Sequence, residues 1–224
     1  METYTSITSF FQSGGTFMYP IALVLFIGLA ITIERWLFLS RSLSANKKAF
    51  TELLPILSSK NYEQVEGYVN ASKTAIARIV VAAIETQQAS PRRDDIQAAI
   101  QEGILEFLPR LSKRTSYLSI LANIATLLGL LGTIIGLIAA FTAVANADPV
   151  DKATLLSQSI SVAMNTTAFG LITAIPLLLF HSLLQNKTLE IVDSIEMAGM
   201  KFLNALVKGN RATTATRMSD KKPD

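Results

Sequence analysis

The sequence predicts an all-α integral membrane protein with three transmembrane helices, of which the second and third are long and extend into the cytoplasm. Three observations predict it. Half of the 224 residues are hydrophobic, and the mean hydropathy is +0.39. The apolar residues gather into three uncharged blocks: Phe17–Ile33, the stretch between Arg114 and Asp148, and the stretch between Lys152 and Lys187, the last two each longer than thirty residues. The 20 Lys and Arg residues are distributed very unevenly around those blocks.

About 20 apolar residues cross a bilayer core as a helix. The first block reaches that length by running on into Trp36–Leu39, which gives a first transmembrane helix over 17–39 behind an outer N-terminal segment, 1–16. That segment has no Lys or Arg, and no A-x-A-like site follows the apolar run, so a retained helix is expected rather than a signal peptide. The other two blocks give transmembrane helices over 117–145 and 157–184, joined by an outer loop, 146–156. Eleven basic residues lie in Arg41–Arg114 and seven after Gln185, against Lys152 alone in the outer loop. Basic residues concentrate on the cytoplasmic side, so the N-terminus is expected outside, with the loop 40–116 and the C-terminus inside. The net charge of +3 then reflects loops beside an anionic leaflet, and no nucleic-acid partner is implied.

Within the polar loop, Ile96, Ala99, Ile100, Gly103, Ile104, Phe107, Leu108 and Leu111 repeat at helical spacing and form one stripe of an amphipathic helix. Ser90, Pro91, Asp94 and Asp95 supply a start signal: a capping Ser, Pro at the first position, and acids in the first turn. Only Pro109 interrupts the run that follows, which predicts one long helix entering the membrane from the cytoplasm, bent at Pro109 if anywhere. A weaker helical region covers Lys73–Gln88. Ile191, Ile195, Ala198, Phe202 and Leu206 continue the third helix inward over 185–208, and the polar tail 209–224 is expected to be disordered.

The informative residues are small or hydroxylated. In lipid, helices gain nothing hydrophobic by associating, so close approach at small residues becomes a main attraction. Gly129, Gly132, Gly136 and Ala140 follow three- and four-residue spacing on the second helix, and Ala163, Gly170 and Ala174 do so with Thr167 on the third. Thr133 lies among the glycines of the second helix, and the third carries Ser157, Ser159, Ser161, Asn165, Thr166, Thr167 and Thr173. Such clustering points to a wet pathway or a facing polar group; hydrogen bonding to each residue's own helix is the structural alternative. Pro176 removes one backbone hydrogen bond within the third helix and is a kink site that can free the carbonyl of Ile172. Glu34 and Arg35 form a pair at the membrane edge, and His181, the one histidine, is placed near the inner interface.

Neither long block contains Asp, Glu, Lys or Arg. A proton pathway normally needs an ionisable group at depth, so an ion conductor built on this chain must take its carboxylate from a partner helix. An enzyme is not expected: there is no Cys, the His is isolated, and no Ser/His/acid set is present. GLLGTIIG lies inside a membrane span, where a nucleotide loop has no place, and no metal site or cofactor is indicated.

The order GGTFMYPIALVLFIGLAITIERWLFL, LLGLLGTIIGLIAAF, NTTAFGLITAIP resembles the MotA/TolQ/ExbB proton channel family, and is most similar to its ExbB/TolQ branch. The resemblance implies a homopentamer in the bacterial inner membrane, with a periplasmic N-terminus and a cytoplasmic C-terminus. The pentamer would surround two copies of an ExbD/TolR/MotB-like partner that carries a membrane Asp, with a TonB-like protein as a further candidate partner. It implies conversion of the ion-motive force into mechanical work for outer-membrane transport or envelope processes; the alternative is a scaffold that holds the partner and conducts nothing. The family's pore threonines fall on Thr133 and Thr167. Where ExbB and TolQ proteins commonly carry a Glu five residues before the second threonine, this chain has Val162, and where they often have a Pro it has Thr126. Thr166 beside Thr167 is similar to the pairing in sodium-driven stators, so the coupling ion is a proton with sodium as the alternative.

Overall fold

The computed structural model describes residues 14–58, 62–72 and 74–219. Among the described residues six α-helices follow in order: α1 Met18–Ser58, α2 Tyr62–Ala71, α3 Ala75–Ala89, α4 Arg93–Ser112, α5 Thr115–Ala145 and α6 Lys152–Ser219. No strand occurs among the described residues. Among the described residues, three stretches are long and apolar enough to cross a membrane: Met18–Ile56, Arg93–Ala145 and Lys152–Val207. At 1.5 Å per residue, α1 is about 60 Å long and α6 about 100 Å, so both outrun a bilayer core of about 30 Å.

Contacts divide the chain into two compact units, one of Met1–Arg35 with Arg114–Leu184, the other of Trp36–Lys113 with Gln185–Asp224. The first is apolar. Its outer surface carries Phe26, Leu127, Ile138 and Phe141, each more than 60% exposed. Water would penalise such a surface heavily, whereas acyl chains match it. Inside, Leu177 lies fully buried over Gly28, and Thr32 donates to the Gly28 carbonyl at 2.8 Å. Pro20 falls in the first turn of α1, where its missing N–H has no intrahelical acceptor in any case.

The second unit is built as a water-soluble domain would be. Ile191, Ile195, Ala198, Phe202 and Leu206 of α6 are all buried, as are Ile96, Ile100 and Leu111 of α4. Leu108, although it belongs to the same sequence stripe, is exposed. The Thr74 hydroxyl accepts from the Ala77 N–H at 3.3 Å and caps α3. Asn46, buried on α1, accepts the neighbouring orphan N–H of Ile76 at 3.3 Å. At the other end of α3, Gln87 donates to the carbonyl of Leu206 at 3.3 Å. Lys187 lies 4.2 Å above the Trp36 ring and donates to the Ser40 hydroxyl at 2.7 Å.

The structure departs from the sequence expectations in four places. The predicted continuous helix from Asp94 into the membrane is broken at Lys113–Arg114, not bent at Pro109. Pro109 leaves Leu105 without its i+4 donor, the Lys113 N–H closes on the Pro109 carbonyl at 3.1 Å, and Arg114 then turns left-handed at φ 68°. The guanidinium of Arg114 lies 3.7 Å from Glu34, which also accepts from Arg35 at 3.1 Å. Second, α4 begins at Arg93, two residues after Pro91, and Ser90 donates to the Asp95 carboxylate. Third, the loop expected over 146–156 ends at Asp151, because Asp151 and Lys152 both close onto the Asp148 carbonyl and start α6. Fourth, residues 209–219 of the expected disordered tail continue α6. Residues 220–224, like the first 13 of the outer segment, lie outside the described residues.

Candidate functional site

The site begins where α5 and α6 touch through their backbones. A Cβ on Gly170 would lie 2.8 Å from the Ala125 carbonyl oxygen and 3.0 Å from the Gly129 Cα. A Cβ on Gly129 would lie 3.3 Å from the Cα atoms of both Gly170 and Thr167. Real Cβ contacts are essentially never as short as the first of these, so only glycine permits this approach. Ala163 sits directly against Gly136, and Gly132, Ala140 and Ala174 are buried in the same unit.

One turn from this contact, the seam brings two hydroxyls together. Thr133 follows Gly129 by four residues and Thr167 precedes Gly170 by three, so both point along the side where the backbones meet. Their Oγ1 atoms are hydrogen-bonded to each other. Thr167 also donates to the Gly129 carbonyl at 2.8 Å, and Thr133 stands 3.2 Å from that oxygen and 3.5 Å from the Ala163 carbonyl. Two hydroxyls and two carbonyls thus form a cluster of four oxygens with two protons to share. Each hydroxyl is only half-buried. Such a cluster has two chemical capacities: its hydroxyls can turn to donate to an arriving carboxylate, and its oxygens suit a hard cation.

Thr166 is not part of it. Adjacent residues of an α-helix point about 100° apart, and Thr166 donates instead toward the Gly14 carbonyl at 2.6 Å and its own helix's Val162 carbonyl at 3.0 Å. Its methyl group fills the space left by Gly132. Pro176 lies within α6, which continues through it to Ser219. Glu34 and Arg35 are tied to Arg114 as described above. His181 is half-buried. Among the described residues, no group of three His, Cys, Asp or Glu side chains could hold a metal ion.

Sequence reasoning missed three features. The Gly14 carbonyl is a partner 152 residues distant from Thr166, and nothing local signals it. Arg114 combines a left-handed backbone with an ion pair to Glu34, where a sequence reader looks for glycine. Thr173 and Thr115 keep buried hydroxyl oxygens with no hydrogen-bond partner. Both lie on the buried faces of their helices, Thr173 being fully enclosed, and burial of one hydroxyl among many serines and threonines has no mark in the sequence.

The model of the MotA/TolQ/ExbB proton channel family matches residues 71–197, more than half of the chain, and spans the whole α5–α6 seam. Biopolymer transport protein exbB1 of Vibrio cholerae is 30% identical over 170 residues, covering 74% of this chain and 73% of its own. The ExbB-like 1 biopolymer transport protein of Synechocystis is 27% identical over 191 residues, covering 84% of this chain and 74% of its own. A biopolymer transport ExbB homolog of Methanothermobacter thermautotrophicus is 23% identical over 221 residues, covering 92% and 75%. The backbone-close seam with its paired hydroxyls, in a protein with three membrane-crossing stretches, thus falls within the matched segment, and the chain belongs to the MotA/TolQ/ExbB proton channel family.

Proposed function

We propose that this protein is the ion-conducting stator subunit of an ExbB–ExbD/TolQ–TolR-like inner-membrane motor that turns the ion-motive force into mechanical work for outer-membrane transport or other envelope processes. The observation that carries the reading is the Thr133–Thr167 cluster, two shareable hydroxyls on an apolar seam whose spans contain no carboxylate at that depth. A hydroxyl pair without an acid can receive and pass on a charge but cannot itself titrate near neutral pH. The titratable Asp therefore belongs to a partner of the ExbD/TolR/MotB type. Five copies of this chain around two partner helices, with a TonB-like protein acting on the assembly, give the arrangement in which each Thr133–Thr167 pair faces the partner's Asp in turn.

Orientation follows from charge: the polar unit with its basic residues is cytoplasmic, and the N-terminus is periplasmic. The proton is the coupling ion of this reading. In the sodium alternative, Thr166 would join the ligands, but its hydroxyl is engaged by the Gly14 and Val162 carbonyls, away from the pair.

Thr167→Val keeps the shape of the side chain and deletes the hydroxyl. Loss of one hydrogen bond to a charged group, about 1.5–3 kcal/mol, predicts a fall in gradient-driven activity of roughly 10- to 100-fold, with the complex still assembled by co-purification. Full activity in this variant would assign the protein to the scaffold class instead. Removing the sodium gradient while keeping the proton gradient should leave activity unchanged; loss of activity there makes sodium the coupling ion.

A further inference from the structure

We infer that Thr166 is a positioning residue: it latches the turn Gly14–Gly15 onto α6 and so fixes the azimuth at which Thr167 faces Thr133. The inference rests on the conduction reading for its consequence and on separate geometry for its existence.

Four observations meet at this one side chain. Thr166 is 2% exposed, so its side chain is almost fully enclosed. That hydroxyl has one proton and two carbonyl acceptors, Gly14 at 2.6 Å and Val162 at 3.0 Å. The Val162 bond lies within its own helix and any threonine in a helix can form it. The shorter bond to Gly14 crosses to the start of α1. Gly14 precedes the helix, its carbonyl accepts no helical N–H, and the first turn of α1 closes instead on Gly15, from the Met18 N–H at 3.3 Å. The latch thus satisfies a buried carbonyl that the helix leaves over.

The turn itself is shaped for this contact. Gly15 has φ +72°, a conformation costly for any residue with a side chain, and a Cβ there would lie 3.2 Å from Cγ1 of Val162. On the third side, the Thr166 methyl fills the hollow at Gly132 of α5, and a Cβ on Gly132 would also lie 3.5 Å from the Phe17 Cβ. The starts of α1, mid-α5 and mid-α6 therefore converge on Thr166. Because Thr166 and Thr167 are consecutive, α6 cannot rotate about its axis at one without moving the other. Displacements of about 1 Å at a functional group can cost on the order of 100-fold, so the latch has leverage on the hydroxyl pair. The same adjacency explains two threonines in a row without giving both of them to the ion.

The test uses the full chain in its complex, spin-labelled at Thr16→Cys and Thr142→Cys and diluted with unlabelled chain; the protein has no native cysteine to interfere. Thr166→Val removes the donor, Thr166→Ser keeps it, and Gly15→Ala strains the turn without touching Thr166. The distance distribution between the labels should broaden at least about twofold in Thr166→Val and in Gly15→Ala, return to its original width in Thr166→Ser, and broaden no further in the double variant. Gradient-driven activity should fall about tenfold in the two broadened variants, on the scale of one hydrogen bond, and recover in Thr166→Ser with the ion preference unchanged. An unaltered distribution in Thr166→Val overturns the latch whatever the activity does. So does a changed ion preference in Thr166→Val that Gly15→Ala fails to reproduce, since Thr166 would then be acting on the ion. If the widths change as expected while Thr167→Val stays fully active, the latch stands and the conduction reading falls.

Discussion

A single helix, α6, is held in two different ways along its length. In the apolar unit it meets α5 backbone to backbone at Ala163 and Gly170, with Thr166, Thr173 and Ala174, and further along Leu177 and Leu184, also buried. In the polar unit the large apolar Ile191, Ile195, Phe202, Leu203 and Leu206 are buried, beside the smaller Thr188, Ala198 and Gly199. The difference is a difference of solvent. Water drives large apolar side chains together at about 25 cal/mol per Å² of buried area. Lipid offers no such drive, so cohesion there comes from close van der Waals approach and from hydrogen bonds between helices. Small residues therefore make the contact with α5 in the first half of α6, while large apolar side chains carry most of the burial in the second. Thr133 and Thr167 sit where α5 and α6 meet backbone to backbone, which brings their hydroxyl oxygens close to the Gly129 and Ala163 carbonyls.

The comparison can be broken most forcefully in the polar unit. Phe202 is 1% exposed and its ring centroid lies 5.7 Å from that of Phe50. Phe202→Ala should cost about 3–5 kcal/mol of stability by cavity formation, read as a drop in the denaturant or thermal midpoint of the purified protein. A loss below about 1 kcal/mol would mean that this half is not held by a conventional core. In the apolar unit the damaging change is an addition, not a deletion. Gly170→Ala places a methyl 2.8 Å from the Ala125 oxygen, and should cost about 1–3 kcal/mol by overpacking, seen as earlier dissociation or unfolding in a detergent titration. The smallest effect sharpens the contrast by reversing its sign. Gly67, in α2, would meet nothing within 4 Å on gaining a Cβ. Gly67→Ala should therefore raise stability by about 0.4–1 kcal/mol, measurable as a higher thermal midpoint. Equal penalties at Gly67 and Gly170 would contradict the claim that the backbone approach on the seam requires glycine.

These physical distinctions also explain what was legible in the sequence. Gly129 and Thr133 could be placed on one small-residue face of the second membrane helix, and Thr167 and Gly170 on one of the third, because residue type and helical spacing carry that information locally; that the two faces meet each other was not legible. The inward stripe from Ile191 to Leu206 was legible for the same reason. The break at Lys113–Arg114 was not, because a left-handed turn is written most clearly by glycine and here falls on an arginine beside Glu34. Nor was the helicity of 209–219 foreseen. Composition reports whether a segment can start a helix alone, and this one is carried on from a long helix already formed. The role of Thr166 was read from its neighbour Thr167, whereas the structure turns it toward Gly14, a contact between residues 152 positions apart. Long-range pairing of one hydroxyl with one carbonyl has no periodicity to betray it.

The central claim is that this chain supplies hydroxyls to an ion path and takes its acid from another protein. Its most direct test is ion flux into vesicles containing the purified protein alone, compared with vesicles containing it with an ExbD-like partner. The account predicts flux near the leak of empty vesicles for the protein alone, and gradient-driven, Thr167-dependent flux once the partner is present. Rapid, selective cation flux through the protein alone would contradict it.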